Sequence, residues 1–172
     1  MKTITTSQKL ICGIALLGTT LLISCGTNRK VKVAELPKAK TIEILAVNDM
    51  HAAIDNFPRL AFMADSLRNI YPNLLLISGG DNQTGNPAND QYPEKGIPII
   101  ELMNAVKFDM SAVGNHEFDS RLVGFANITH KAKFDFLSAN IDLPKTPDFR
   151  IKPYVIIKSP NGLRTAFVSF LD

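Results

Sequence analysis

The run Ser111-Ala112-Val113 stops at Gly114, and Asn115, His116, Glu117 and Asp119 follow within five positions. A short apolar run reads as a buried strand, and a glycine at its end lets the backbone turn sharply. Two upstream stretches repeat the arrangement. Ile44-Leu45-Ala46-Val47 leads into Asn48-Asp49-Met50-His51, and Leu74-Leu75-Leu76-Ile77 leads into Ser78-Gly79-Gly80-Asp81-Asn82-Gln83. Taken alone, the third cluster reads equally well as a capped helix start, with Asn115 or Asp119 bonding free backbone N–H groups. Three occurrences in one chain favour strand ends. Polar groups about thirty residues apart in sequence then meet at one edge of a sheet, where open α/β sheets bind ligands.

The remaining pattern supplies the other elements. Leu60, Met63, Leu67 and Ile70 recur at helical spacing after Pro58, and Tyr71-Pro72-Asn73 breaks that helix. Ile97 to Val106, with Pro98 in its first turn, predicts a second helix. Arg121 to Lys133 predicts a third, with Leu122, Phe125 and Ile128 on one face. Phe136-Leu137-Ser138-Ala139 reads as a further strand. Tyr154–Ile157 and Thr165–Phe170, joined by Ser159-Pro160-Asn161-Gly162, read as a hairpin. Alternating strands and helices followed by a hairpin indicate an α/β fold with a mixed sheet.

Residues 1–24 read as a processing segment: Lys2 and Lys9 precede the mostly apolar run Leu10 to Ile23, too short to span a bilayer. Leu22-Ile23-Ser24-Cys25-Gly26 resembles a bacterial lipobox, in which Cys25 is lipidated and becomes the first residue. Cys12 leaves with the leader, so no thiol remains for a disulfide, a nucleophile or a metal. Residues 25–40 then form a tether; after Cys25 it holds five basic residues and one acidic, a charge suited to anionic headgroups. From Thr41 onward 12 Lys and Arg face 15 Asp and Glu, a net charge of −3. That balance excludes a basic nucleic-acid binder, and no motif for nucleic-acid polymers is present.

D-x-H, G-D and G-N-H-E, in this order and spacing, resemble the calcineurin-like metallophosphoesterases. The fuller strings around Asp49, Asp81 and Asn115, with Ile100-Glu101-Leu102-Met103-Asn104-Ala105 and Leu137-Ser138-Ala139-Asn140-Ile141, resemble the periplasmic 5'-nucleotidase branch. The resemblance covers Thr41 to the last residue. It implies the first half of a four-layer α/β/β/α sandwich over residues 41–172. It also implies two divalent ions, with Zn, Mn, Co and Mg undistinguished. Asp49 and His51 would bind the first ion, Asp81 both and Asn115 the second. His116 would act on the phosphoryl group or the leaving oxygen, with Asp119 orienting its ring. Glu117 is expected to be a structural hydrogen-bond acceptor. The implied substrate is a nucleotide or another small phosphoester. The implied location is the bacterial cell envelope, lipid-anchored in the outer membrane and facing the periplasm.

Family members complete the metal pair with later histidines, one isolated and two in a G-H-x-H loop. This sequence has three histidines, and His130, on the third helix, is expected to be an exposed or capping residue. Domain 41–172 is therefore read as truncated. The alternative to an active phosphoesterase is a non-catalytic remnant, poorly soluble, binding divalent ions weakly and releasing no phosphate above background.

Overall fold

A computed structural model describes residues 38–171; the expected leader, Cys25 and most of the tether lie outside them. Five short strands pair in parallel: β1 (Ile44–Val47), β2 (Leu75–Ser78), β3 (Met110–Ala112), β4 (Asp135–Leu137) and β5 (Ile151–Lys152). They stand side by side in chain order. Between them run α1 (Phe57–Ile70), the single turn α2 (Pro87–Asp90), α3 (Ile97–Val106) and α4 (Arg121–Lys131).

That order decides the layering. Parallel crossovers are right-handed, and each of these steps in the same direction, so α1, α3 and α4 fall on one face of the sheet. Leu45, Leu76, Val113 and Phe136 meet Phe57, Leu60, Ile100, Met103, Phe125 and Ile128 there in the main core. The opposite face, with Leu75, Met110 and Leu137, is covered by β6 (Tyr154–Lys158) and β7 (Arg164–Val168), which contribute Val155, Ile157 and Phe167. The expected α/β class is what the chain forms. Its parallel and antiparallel pairings are divided between a five-stranded sheet and a separate two-stranded one.

Several elements match the sequence reading closely. The second helix has the expected bounds, Pro58 and Pro98 sit in first turns, and Tyr71 caps α1. The phase of α1 differs. Phe57, Leu60 and Ala64 are buried, whereas Met63 and Ile70 are 46% and 65% exposed. Phe57 claims the core, and the apolar stripe rotates to follow it. Leu122 is likewise exposed, and α4 buries Phe125, Ala126, Ile128 and Thr129 instead. β5 carried no sequence signal because two residues beside a proline show no period.

The hairpin turn is tied to the start of the sheet. Asn161 Nδ2 donates to the Thr41 carbonyl (2.7 Å), and its Oδ1 accepts from Leu163 N–H (2.9 Å). Asn161→Ala is expected to cost about 1 kcal/mol, because both bonds are partly solvated. Urea denaturation checks this; an unchanged midpoint would mean the turn holds itself.

Candidate functional site

The loops after β1, β2 and β3 form one stitched unit at the carboxyl end of the sheet. Three backbone bonds join the first loop to the second: Asp49 N–H to Gly80 O (3.2 Å), His51 N–H to Asp81 O (3.0 Å) and Ala52 N–H to Asn82 O (2.8 Å). The second is joined to the third through carboxylates. Asp81 Oδ1 accepts from His116 N–H (2.9 Å). Glu117, 1% exposed, accepts from the backbone N–H groups of Asp81 (3.1 Å), Asn82 (2.8 Å) and Gly114 (2.7 Å), and from Asn82 Nδ2 (3.1 Å). Burial pushes the Glu117 carboxyl up, and the backbone donors pull it back.

This geometry combines the two readings of the Gly114 stretch. The strand ends at Ala112, and Asn115–Phe118 then forms one 3-10 turn. The caps of that turn are Glu117 and Asp81 rather than Asn115 or Asp119. Gly114 itself has an extended φ of −100°, which any residue adopts. Its glycine is required for space: an added Cβ would collide with the Asp81 carboxylate and come within 2.6 Å of the Asp81 nitrogen.

Three of the four expected ligand positions share a backbone state. Asp49, His51 and Asp81 have φ of 50°, 44° and 51°, in the left-handed region that side-chain-bearing residues rarely occupy. Such conformations cost on the order of 1–3 kcal/mol each and persist where surrounding bonds over-determine them. Here the stitching between loops does so.

His51 Nδ1 lies 3.2 Å from the Thr84 carbonyl, which calls for a proton on Nδ1 and leaves the Nε2 lone pair free. Nε2 is 3.8 Å from Asp49 Oδ1, and Asn48 Nδ2 donates to the other Asp49 oxygen. One donor atom each from His51, Asp81 and His116 lies within 4.8 Å of the others. The two imidazole rings meet edge to face, with centroids 4.7 Å apart. Neutral imidazole and carboxylate donors fit a divalent cation. Asn115 stands exposed on the same turn, and its side chain makes no hydrogen bond among the described residues.

His116 Nδ1 is 2.9 Å from Asp119 Oδ2. Hydrogen bonding to Asp119 holds the His116 pKa above the ordinary imidazole value, against a smaller opposing effect of burial. A raised histidine pKa stabilises the fold below the unfolded value of about 6.5, and that contribution is lost as pH rises through the raised value. An NMR titration is expected to place His116 above the ordinary midpoint, and Asp119→Asn to lower it. A midpoint indifferent to Asp119 would separate the two residues functionally.

His130 lies away from this cluster. It is exposed near the end of α4, with Nε2 3.3 Å from Asp148 Oδ2. Sequence reasoning passed over Asn82, fully buried, which accepts from Ser78 Oγ (2.6 Å) and donates to Ser111 Oγ (2.9 Å). An amide directly after Asp81 and beside a buried strand was the available signal.

Comparison with known proteins agrees with this architecture. The family profile described as calcineurin-like phosphoesterase matches residues 42–165. The protein UshA of Salmonella pullorum is 35% identical over 144 residues, 76% of this chain and 25% of that protein. The snake venom 5'-nucleotidase of Naja atra is 34% identical over 138 residues, 67% of this chain and 26% of that one. The solved structure of Haemophilus influenzae NAD nucleotidase superposes with a TM-score of 0.68 at 27% identity, covering 76% of this chain and 26% of that chain. The chain thus spans about a quarter of the length of these relatives. With the profile matching most of the chain, and three strand-end loops carrying its polar residues, this chain belongs to the calcineurin-like phosphoesterase family.

Proposed function

We propose that the stitched loops are the first half of a two-metal site that hydrolyses phosphate esters of nucleotides outside the cytoplasm. The observation that carries this reading is the convergence of His51, Asp81 and His116 donor atoms within 4.8 Å. Asp49 and His51 would hold one ion, Asn115 the second, and Asp81 both. Divalent ions, when bound, polarise phosphoryl oxygens and lower the pKa of water. The chain's own groups do the rest. The Thr84 carbonyl fixes the His51 tautomer, and Asp119 holds the His116 ring through Nδ1, so that Nε2 would be the nitrogen left to act on the phosphoryl group or the leaving oxygen. The oxygen of Asp81 bonded to His116 N–H keeps the ligand loops in register. Relatives named as nucleotidases support nucleotides as the substrate class.

The test joins this chain to the carboxyl-terminal remainder of a UshA-type relative and follows phosphate release from AMP. Release that requires Mn or Zn and stops with chelator is expected. A joined protein that binds metal but releases no phosphate would defeat the proposal.

The location proposed is the outer membrane of a bacterial envelope, with lipid on Cys25 and the domain facing the periplasm. Among the described residues no helix is long and apolar enough to cross a membrane. Cys25→Ser is expected to move the protein out of the membrane fraction; unchanged attachment and gel mobility would rule out the anchor.

A further inference from the structure

The charges of the domain are unevenly placed along the strand direction. The carboxyl end of the sheet carries Asp49, Asp81, Glu117 and Asp119 on its loops. At the amino end the sign reverses. α4 closes on Lys131, Lys133 lies in the link to β4, and Arg150 immediately precedes β5. With Lys152 and His130, these residues line an open cavity of about 680 Å³. Lys107 caps α3 at this end, where Arg68 donates to its carbonyl (2.7 Å). The Asn161–Thr41 bond brings the hairpin turn here too, and with it the pair Lys158 and Arg164.

The acidic residues of this end are mostly engaged. Glu101 takes Lys131 (2.8 Å), Asp135 takes Lys152 (2.8 Å), and Asp109 accepts from Leu76 N–H (2.8 Å). Asp148 faces His130 (3.3 Å), an ion pair only when that imidazole is protonated, and an N–H does not neutralise Asp109, so Glu43, Asp109 and Asp148 keep their charge against the five unpaired cations of this end. Lys107, Lys133, Arg150, Lys158 and Arg164 are exposed and make no ion pair among the described residues. This local excess stands on a domain whose net charge from Thr41 is −3.

We infer that the amino end of the sheet is a docking surface for a bilayer bearing anionic headgroups, holding the domain end-on with the ligand loops turned away from the membrane. The free cations are spread over four separate segments, which matches an extended sheet of headgroups rather than one phosphate. Ile70 and Tyr71, 65% and 41% exposed, close α1 at the same end and offer apolar surface to the headgroup boundary. Each Lys or Arg near an anionic surface strengthens attachment about five-fold, and salt screens the effect. The inference rests on the domain's own charges and is independent of lipid on Cys25.

The test uses the full chain carrying Cys25→Ser, sedimented with vesicles of phosphatidylcholine alone or mixed with phosphatidylglycerol. The readout is the preference for the anionic vesicles, so apolar attraction common to both cancels. Lys133→Glu with Arg150→Glu is expected to reduce that preference at least twenty-fold, and 0.5 M NaCl to abolish it. Lys158→Gln with Arg164→Gln, on a different element, is expected to reduce it at least five-fold, which guards against misfolding of the first variant. Preference unchanged in both double variants, but lost when Arg29, Lys30 and Lys32 become Gln, would assign attachment to the tether and overturn the inference. Displacement by millimolar inorganic phosphate at constant ionic strength would also overturn it, in favour of a single-anion site.

Discussion

Replacing Glu117 with Gln is expected to destabilise the domain by about 3–5 kcal/mol, although the side chain keeps its size and reaches no solvent. The reason lies in the donor count. Each Glu117 oxygen accepts two N–H groups: Oε1 from Asn82 N and Nδ2, and Oε2 from Asp81 N and Gly114 N. An amide offers one oxygen, and its NH2 would face two further donors at 2.7–3.1 Å whichever way it turned. Two hydrogen bonds to a charged group are lost, and two buried donors are left without partners. Because those donors belong to the second and third loops, the same change should loosen Asp81 and Asn115 together. Guanidinium denaturation measures the first effect, and metal titration of the folded variant measures the second. A variant within 1 kcal/mol of the parent would show that the loops hold each other without this carboxylate.

In the chain joined to a relative's remainder, Asp81→Asn is expected to lower phosphate release about a thousand-fold or more and to reduce metal content. His116→Ala should lower turnover comparably while sparing the metal. Asp81 is the proposed ligand common to both ions, so an amide there weakens both sites and adds no charge to replace what is lost. His116 is held by Asp119 through Nδ1, and in the role proposed for it Nε2 would act on charge that builds in the transition state. The structure makes this a sharp test, because a His116 ring nitrogen also falls within 4.8 Å of the His51 and Asp81 donor atoms. Equal metal loss in the two variants would make His116 a ligand and reverse its assigned role.

The strand ends and the hairpin were legible in the sequence because each is local. An apolar run followed by a polar cluster specifies its own turn, and Ser159-Pro160-Asn161-Gly162 specifies the next. Relations between segments left no such trace. The left-handed backbone at Asp49, His51 and Asp81 comes from bonds between loops, which spacing within one loop does not encode. Gly114 was expected to serve a sharp turn and instead makes room for Asp81, a neighbour 33 positions away. The phase of α1 was misread for a similar reason. Met63 and Ile70 fit a helical period as well as Ala64 does, and only the surface of the sheet chooses between the stripes.

The chain order of the five strands has a consequence for how the domain is made. Each new strand pairs with the one formed just before it, so the loops closed during assembly of the sheet stay short for a parallel fold. Growth from β1 toward β5 can therefore follow the chain as it emerges from a ribosome, with each βα step adding to the edge before it. The exception is the clasp between Asn161 and Thr41, 120 residues apart. Closing so long a loop carries a large entropic cost, so the clasp is expected to form late, with the face bearing Leu75, Met110 and Leu137 open until the hairpin docks. Docking of the hairpin is thus expected to be a late step of folding, and the interval before it is when the domain is expected to be most open to proteases and to pairing with its own copies.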